Sequence, residues 1–556
     1  MATGTINLAE AVELELERIF QNCQQQRERR EAARRTSPLV RLWDGDWKLA
    51  GIVAGEIDGT MTWVMNDTGS CVIKLPVHSH LSQWVLDHSG RDTENVHITI
   101  DKDGARWGGR LRKDMLTKTE DGQRYVELQF LHDYEELKRI QCWSNPFLPA
   151  SVQFPRVSIL AGPAKWVLKT MLLMNIVRLN ASLWHLPDDP LDPDSWTQAF
   201  NPDEWPIVVK PGSLLSDGSP WTIASSRFKF WHDMAQPTLE DAELMVECRR
   251  FLDGDPPPWP GANLRNGTLV VDIVDKSGRY AETGAGTSGN IFTGIVRTAV
   301  KFAENLIDED ETVLPNPDEQ QYRLPGWLGT LPNAPYVTYR DGAITGVEAA
   351  EFTHEPAQAV QVNAGGHSMP GVNEGVSAAV QLAGNVLGTF VALPSAGTIA
   401  DTLLRPIYTD TLLAWMSIKS PIRSRRAGWS HYQEHFAKGG DRAYTLSGLI
   451  ALREGFWETR ARTAHKLKVT DGAPWFIGEQ GYGHFFLGDR IGSTIIGLRP
   501  DRIVVERVSE LTFSWSREGM GWEITVGDQR AVESPLGRTV RKVAELAATA
   551  HDLGVV

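Results

Sequence analysis

Residues 40–76 read VRLWDGDWKLAGIVAGEIDGTMTWVMNDTGSCVIKLP, and their punctuation decides the fold class. Asp44-Gly45-Asp46, Gly55-Glu56-Ile57-Asp58-Gly59 and Asn66-Asp67-Thr68-Gly69 are turn clusters, and the runs between them are rich in Val, Ile, Trp and Thr. Four or five short strands at this spacing predict a small antiparallel barrel or sandwich. The pattern continues outward. HITIDKDGARWGGRLRK is a hairpin turning at Lys102-Asp103-Gly104, and RYVELQFLHDYEELKRI is a strand followed by a helical turn.

Strands return near the other end, in KLKVTDG, PWFIG, DRIVVERVSELTFSWSRE and WEITVGD, and a helix is expected over 539–553. Between these β-rich stretches the signals alternate. AKWVLKTMLLMNIVRLNASLW (164–184) is an amphipathic helix; IVVKPG and PWTIASSRFKFW are strands. PTLEDAELMVECRRFLDG reads as a helix with Thr238 as N-cap and Gly254 as C-cap. TLVVDIVDKSGRY resembles a hairpin, IFTGIVRTAVKFAENL a helix, and DEDETVLPNPDEQQYRLPG an acidic surface loop. Residues 7–35 form a helix with Leu8, Val12, Leu16, Ile19 and Phe20 at near-helical spacing, ending in the basic run QQQRERREAARR. The fold class expected is therefore α+β and β-rich.

The bulk properties narrow the function. A chain of 556 residues exceeds one core, so several domains are expected. The net charge of −14 argues against a nucleic-acid coat, which needs a basic surface, but suits a conduit whose wall repels DNA. Twenty tryptophans favour large cores or assembly interfaces. Cys23, Cys71, Cys142 and Cys248 are far apart, which excludes a zinc ribbon and fits a reducing cytoplasm. No basic–apolar export signal opens the sequence. The charge-free stretch 376–400 is long enough for a bilayer, yet Gln381, Asn385 and Pro394 favour a buried or interface helix, so no stable membrane span is expected.

Motifs that imitate catalytic sites fail on context. Gly284-Ala285-Gly286-Thr287-Ser288-Gly289 matches a dinucleotide fingerprint, but polar residues separate it from the preceding strand. His431-Tyr432-Gln433-Glu434-His435 matches an inverted zinc-protease pattern. On a helix the two His would share a metal, with Glu434 as base and Glu454 or Glu458 as a further ligand. A polar helix face packed on Trp429 and Phe436 is favoured instead. His78-Ser79-His80 precedes LSQWVLDH, where Ser79 or His80 is expected to cap a helix. No catalytic, cofactor-binding or metal residue is assigned.

Longer stretches carry a resemblance. LVRLWDGDWKLAGIVAGEI, MNDTGSCVIKLPVHSHLSQWVLDH, IDKDGARWGGRL, FLHDYEELKRIQCWSNPFLPASVQFPRV, LAGPAKWVLKTML, PGSLLSDGSPWTIASSRFKFWHD, DGAPWFIGEQGYGHFFLGDRIG and VSELTFSWSRE, in this order, resemble the minor tail proteins of siphoviruses that infect actinobacteria. The resemblance implies a tail-tip or baseplate hub: a homotrimer in the virion, assembled in the host cytoplasm, each subunit giving two tail-tube-like β-barrels to a pseudo-sixfold ring. That ring would cap the tube and form the channel through which DNA passes. Expected partners are the distal tail or tube protein, the tape-measure protein and other minor tail proteins. The domains expected are an N-terminal helix (1–36), a first barrel (37–155), an α+β middle (156–398), a helical segment (399–462) and a second barrel with closing helix (463–556). The rivals are a zinc-dependent tail-associated hydrolase using His431, Glu434 and His435, and a receptor-binding tip protein.

Overall fold

The computed structural model describes residues 8–277, apart from 121, 156 and scattered positions between 182 and 199, together with 313–315, 337–342, 347–365, 415–437, 446–469, 475–497 and 502–527. The dinucleotide-like glycines, the charge-free stretch 376–400, and the helices expected over 291–306 and 539–553 lie outside the described residues. The chain is β-rich with few helices.

The opening stretch folds as its turn residues require. Strands β1 (Leu39–Trp43), β2 (Leu49–Ile52), β3 (Asp58–Val64) and β4 (Ser70–Pro76) are followed by the short helix His80–Leu86. Next come β5 (His97–Lys102), β6 (Ala105–Lys118) and β7 (Arg124–His132). Asp103 and Gly104 both take positive φ in the β5–β6 turn, and Asn66 does so in the β3–β4 turn. Strand β3 alternates buried and half-buried residues, the mark of a sheet with one face on a core. Ser79 occupies the N-cap of His80–Leu86, but its side chain makes no capping bond; Ser82 Oγ donates instead to the Pro76 carbonyl at 2.8 Å.

The middle region holds β8 (Gln141–Cys142), β9 (Ser158–Pro163), the helix Ala164–Ala181, β10 (Ile207–Val209), β11 (Trp221–Ser226), β12 (Lys229–Phe230), the helix Trp231–Asp241, β13 (Leu244–Arg250) and β14 (Leu269–Asp275). One expectation is corrected here. The stretch around LMVECRR is strand, not helix: the helix ends at Asp241, and β13 pairs antiparallel with β14 from Leu244↔Asp275 to Arg250↔Leu269. Glu and Leu favour helix locally, but the ladder and the core below override that weak preference. Thr238 is therefore no cap. It lies buried within the helix, its hydroxyl 3.1 Å from that of Thr222.

The remaining strands are β15 (Val313–Pro315), β16 (Thr338–Arg340), β17 (Val347–Glu355), β18 (Gln361–Gly365), β19 (Trp415–Lys419), β20 (Glu434–Phe436), β21 (Arg462–Val469), β22 (Arg490–Thr494), β23 (Arg502–Ser516) and β24 (Met520–Gly527). The segment expected to be mostly helical is mixed. It holds the helices Pro421–Ala427 and Leu446–Glu458, and a three-stranded sheet β19-β18-β20 whose inner face packs on the second helix through Val362, Ala364, Leu452 and Phe456.

The two β-rich stretches are joined in one 14-stranded sheet, with the path β17-β21-β24-β23-β3-β4-β7-β6-β5-β1-β2. The seam is β3 against β23, antiparallel, with Trp63 opposite Leu511, Met61 opposite Phe513 and Gly59 opposite Trp515. Among the described residues this path does not return on itself. The inner faces of both halves share one core, where the Trp63 and Trp522 rings stack at 5.8 Å. The outer face carries a hydroxyl ladder, Thr62 to Thr512 at 3.0 Å and Thr60 to Ser514 at 3.2 Å. At Gly59 a β-carbon would stand 2.2 Å from the Trp515 ring; glycine there admits the indole across the strand.

Candidate functional site

Strand β13 and its flanks are where the parts of the chain meet, and the contacts grow from turn residues. Asn66 is buried at positive φ and acts as a surrogate strand for β13. Its Nδ2 donates to the Leu244 carbonyl at 2.8 Å and its Oδ1 accepts the Val246 N–H at 2.9 Å. Trp47, also at positive φ, leaves the β1–β2 turn and stacks on His97 with ring centroids 4.6 Å apart. Its carbonyl accepts from Asn266 Nδ2 at 2.8 Å, and a β-carbon on Gly267 would stand 2.0 Å from its ring.

Beneath Trp47 lies Arg250, the last residue of β13, with its guanidinium 4.7 Å from the indole. Arg250 Nη2 donates to Asp133 Oδ1 at 2.7 Å and Nη1 to the Gly267 carbonyl at 3.0 Å; both members of the ion pair are almost wholly buried. Burial alone would raise the Asp133 carboxyl, but the charge and hydrogen bond of Arg250 hold it below its usual range. Burial, reinforced by the Arg250 charge, pushes His97 down to about 3, so the ring under Trp47 is neutral. Arg106 extends the network, donating to Asp101 Oδ1 at 2.7 Å, to the Arg250 carbonyl at 3.0 Å and to Asp255.

Two further buried pairs tie the C-terminal part to the middle. Arg490 Nη2 donates to Glu243 Oε2 at 3.0 Å, and Arg453 Nη2 lies 2.6 Å from Asp241 Oδ2. Each of the pairs Arg250–Asp133, Arg106–Asp255, Arg490–Glu243 and Arg453–Asp241 thus crosses from the middle region to another part of the chain. Buried ion pairs add little net stability, yet they penalise any arrangement that separates the partners. Their work is to fix how the parts sit together.

A cleft of about 370 Å³ opens beside this junction, lined among others by Trp63, Arg106, Glu247, Arg249, Lys276 and Glu479. Burial pushes Glu479 up to about 7 and also raises Glu247. The Glu247 carboxylate adds to the upward push on Glu479, while Arg249 and Lys276 draw Glu479 down. Lys276 bonds Asp489 at 2.9 Å. A carboxyl raised in the folded state stabilises the fold most below its ordinary value and loses that contribution as pH rises through its folded value. Stability is therefore expected to fall between about pH 4.5 and about pH 7 through this cleft. Glu479→Gln should flatten that decline in denaturation midpoints; an unchanged slope would refute the assignment.

The sequence motifs fare differently. His431, Glu434 and His435 do not share a helix. His431 sits in a loop with its Nδ1 on the Gly428 carbonyl, and Glu434 and His435 are adjacent on β20, where neighbours point to opposite faces. His435 Nε2 bonds Glu458 at 3.1 Å, and Glu434 accepts from Gln361 Nε2 at 2.7 Å. Glu454, raised to about 7 by burial, lies on the helix Leu446–Glu458. Trp429 and Phe436 are exposed, not packed against a polar helix. Among the described residues no group of three or more His, Cys, Asp or Glu is placed to hold a metal. The residues that build the junction went unnoticed in the sequence. Asn66 was legible as a positive-φ turn residue, whereas Arg250 was hidden in a run read as helix.

The model of the Siphovirus ReqiPepy6 Gp37-like protein family matches residues 39–528. Minor tail protein Gp28 of Mycobacterium phage L5 is 38% identical, covering 92% of this chain and 94% of its own length. The Gp28 of Mycobacterium phage D29 is 36% identical over 94% and 95%. A tail protein from Neisseria meningitidis MC58 covers 89% of this chain and 97% of its own at 10% identity and a TM-score of 0.40, too loose a likeness to carry an argument. With a family match across the whole 14-stranded sheet and relatives aligned nearly end to end, the chain belongs to the Gp37-like family of siphovirus minor tail proteins.

Proposed function

We propose that this minor tail protein is the hub of the tail tip: a structural, non-catalytic homotrimer that caps the tail tube and surrounds the channel for DNA ejection. The β3–β23 seam carries the reading. It sets two groups of strands, β1–β7 and β15–β17 with β21–β24, side by side in a single sheet. Three such chains supply six groups, the number needed to meet a sixfold tube, and heterologous contacts between copies close such a ring. The buried ion pairs Arg250–Asp133 and Arg490–Glu243 tie the middle region to both groups. The net charge of −14 suits a wall along which DNA slides without binding. In this reading the partners are the tube or distal tail protein, the tape-measure protein and other minor tail proteins.

A density map of the assembled tail tests it. Three copies around the axis at the tip are expected, with the fused sheet facing the lumen. Copies placed off the axis, or along the tail shaft, would sink the proposal.

A further inference from the structure

On the helix Leu8–Arg34 three large apolar side chains have no cover among the described residues: Leu16 is 61% exposed, Ile19 51% and Phe20 66%. A helix this weakly packed is marginal by itself, because most helical stability comes from burying an apolar face. Four of its positions share one heptad phase, while Leu8, Leu14 and Phe20 lie off it. Val12, Leu16, Ile19 and Cys23 are spaced four, three and four. In a heptad the step from a to d is three and from d to a is four, so Val12 and Ile19 are d positions, and Leu16 and Cys23 are a positions.

We propose that this helix forms a parallel three-stranded coiled coil with the same helix of two further copies of the chain. The inference rests on the trimeric hub reading and deepens it by naming a contact between subunits. Leucine at a with isoleucine at d, as at Leu16 and Ile19, disfavours two strands and selects three or four. Threefold symmetry requires the strands to be parallel. Charge is compatible with that alignment. Across the seam Glu15 of one strand faces Phe20 of the next and Asn22 faces Arg27, and like charges first oppose where Arg29 meets Arg34. The coil is thus confined to the apolar half of the helix, and the arginines beyond it splay apart. Phe20, beside the seam, covers the Leu16–Ile19 layers from the flank.

Cys23 provides the test, because Cys71 and Cys142 are buried and Cys248 is half-buried, whereas Cys23 is exposed. In parallel register three Cys23 thiols surround one axis. Mild oxidation of the full-length trimer should therefore yield covalent dimers and leave one chain in three unlinked. Cys23→Ser should abolish the product, as should Leu16→Asp with Ile19→Asp, while sedimentation still reports a trimer held by the strand groups. Trimers that never cross-link, or cross-links that survive the double Asp variant, overturn the coiled coil and leave the hub reading intact. Monomers without cross-links overturn both, and a cross-linked species that sediments as a dimer overturns the three-stranded form.

Discussion

Arg250→Met is expected to cost about 3–5 kcal/mol, the range for removing one partner of a buried ion pair. The loss comes from what is left behind more than from the bond itself. Asp133 stays buried at the end of β7 with its charge unmatched, and Trp47 loses the guanidinium beneath its ring. Methionine fills much of the arginine stem, so packing changes little and the effect is electrostatic. A second substitution separates the two contributions: Asp133→Asn removes the stranded charge, and Arg250→Met with Asp133→Asn should recover a large part of the single variant's loss. Urea denaturation reads both. A single variant within about 1 kcal/mol of wild type, or a double variant no better than the single, would show that the pair does not organise the junction.

The other large effect is expected at the seam. Gly59→Val places a β-carbon where the Trp515 ring now lies, at 2.2 Å, and adds two methyl groups beyond it. Neither strand can yield easily. Trp515 is buried and its Nε1 donates to Glu56 at 3.0 Å, while β3 is held on its other side by β4. Overpacking of this kind costs about 3 kcal/mol or more, concentrated on one ladder. Hydrogen exchange should accelerate selectively in β3 and β23 while β5 to β7 stay protected. Trp515→Leu introduced with Gly59→Val should restore part of the protection. Uniform loss across the whole sheet would mean that the seam is not a separable joint.

Much of this architecture was legible because it is local. Lys102-Asp103-Gly104 marks a turn wherever it occurs, and the amphipathic run from Ala164, with Lys165, Lys169 and Arg178 among its apolar residues, marks a helix. The misreadings share a cause. In LMVECRR, Leu, Glu and Met speak for helix, while β14 and the core beneath decide for strand. In His431–His435, a spacing that unites two imidazoles on a helix parts them on β20 and its preceding loop. The ion pairs at the junction join residues more than a hundred positions apart, such as Arg250 with Asp133, so no spacing rule could pair them. The seam is intermediate. Both TMTWV and LTFSWS alternate as half-buried strands should, but nothing in either names the other.

The seam also sets a timetable. Thr62 and Thr512 face each other across it and are 450 residues apart in the chain. At roughly 5–20 residues per second, a ribosome needs about 20–90 s to deliver β23 after β3 has emerged. Throughout that interval β3 has an open edge, and the loop to be closed is nearly the whole polypeptide, which makes the step slow as well as late. A subunit released early by truncation would lack the strand that completes its sheet.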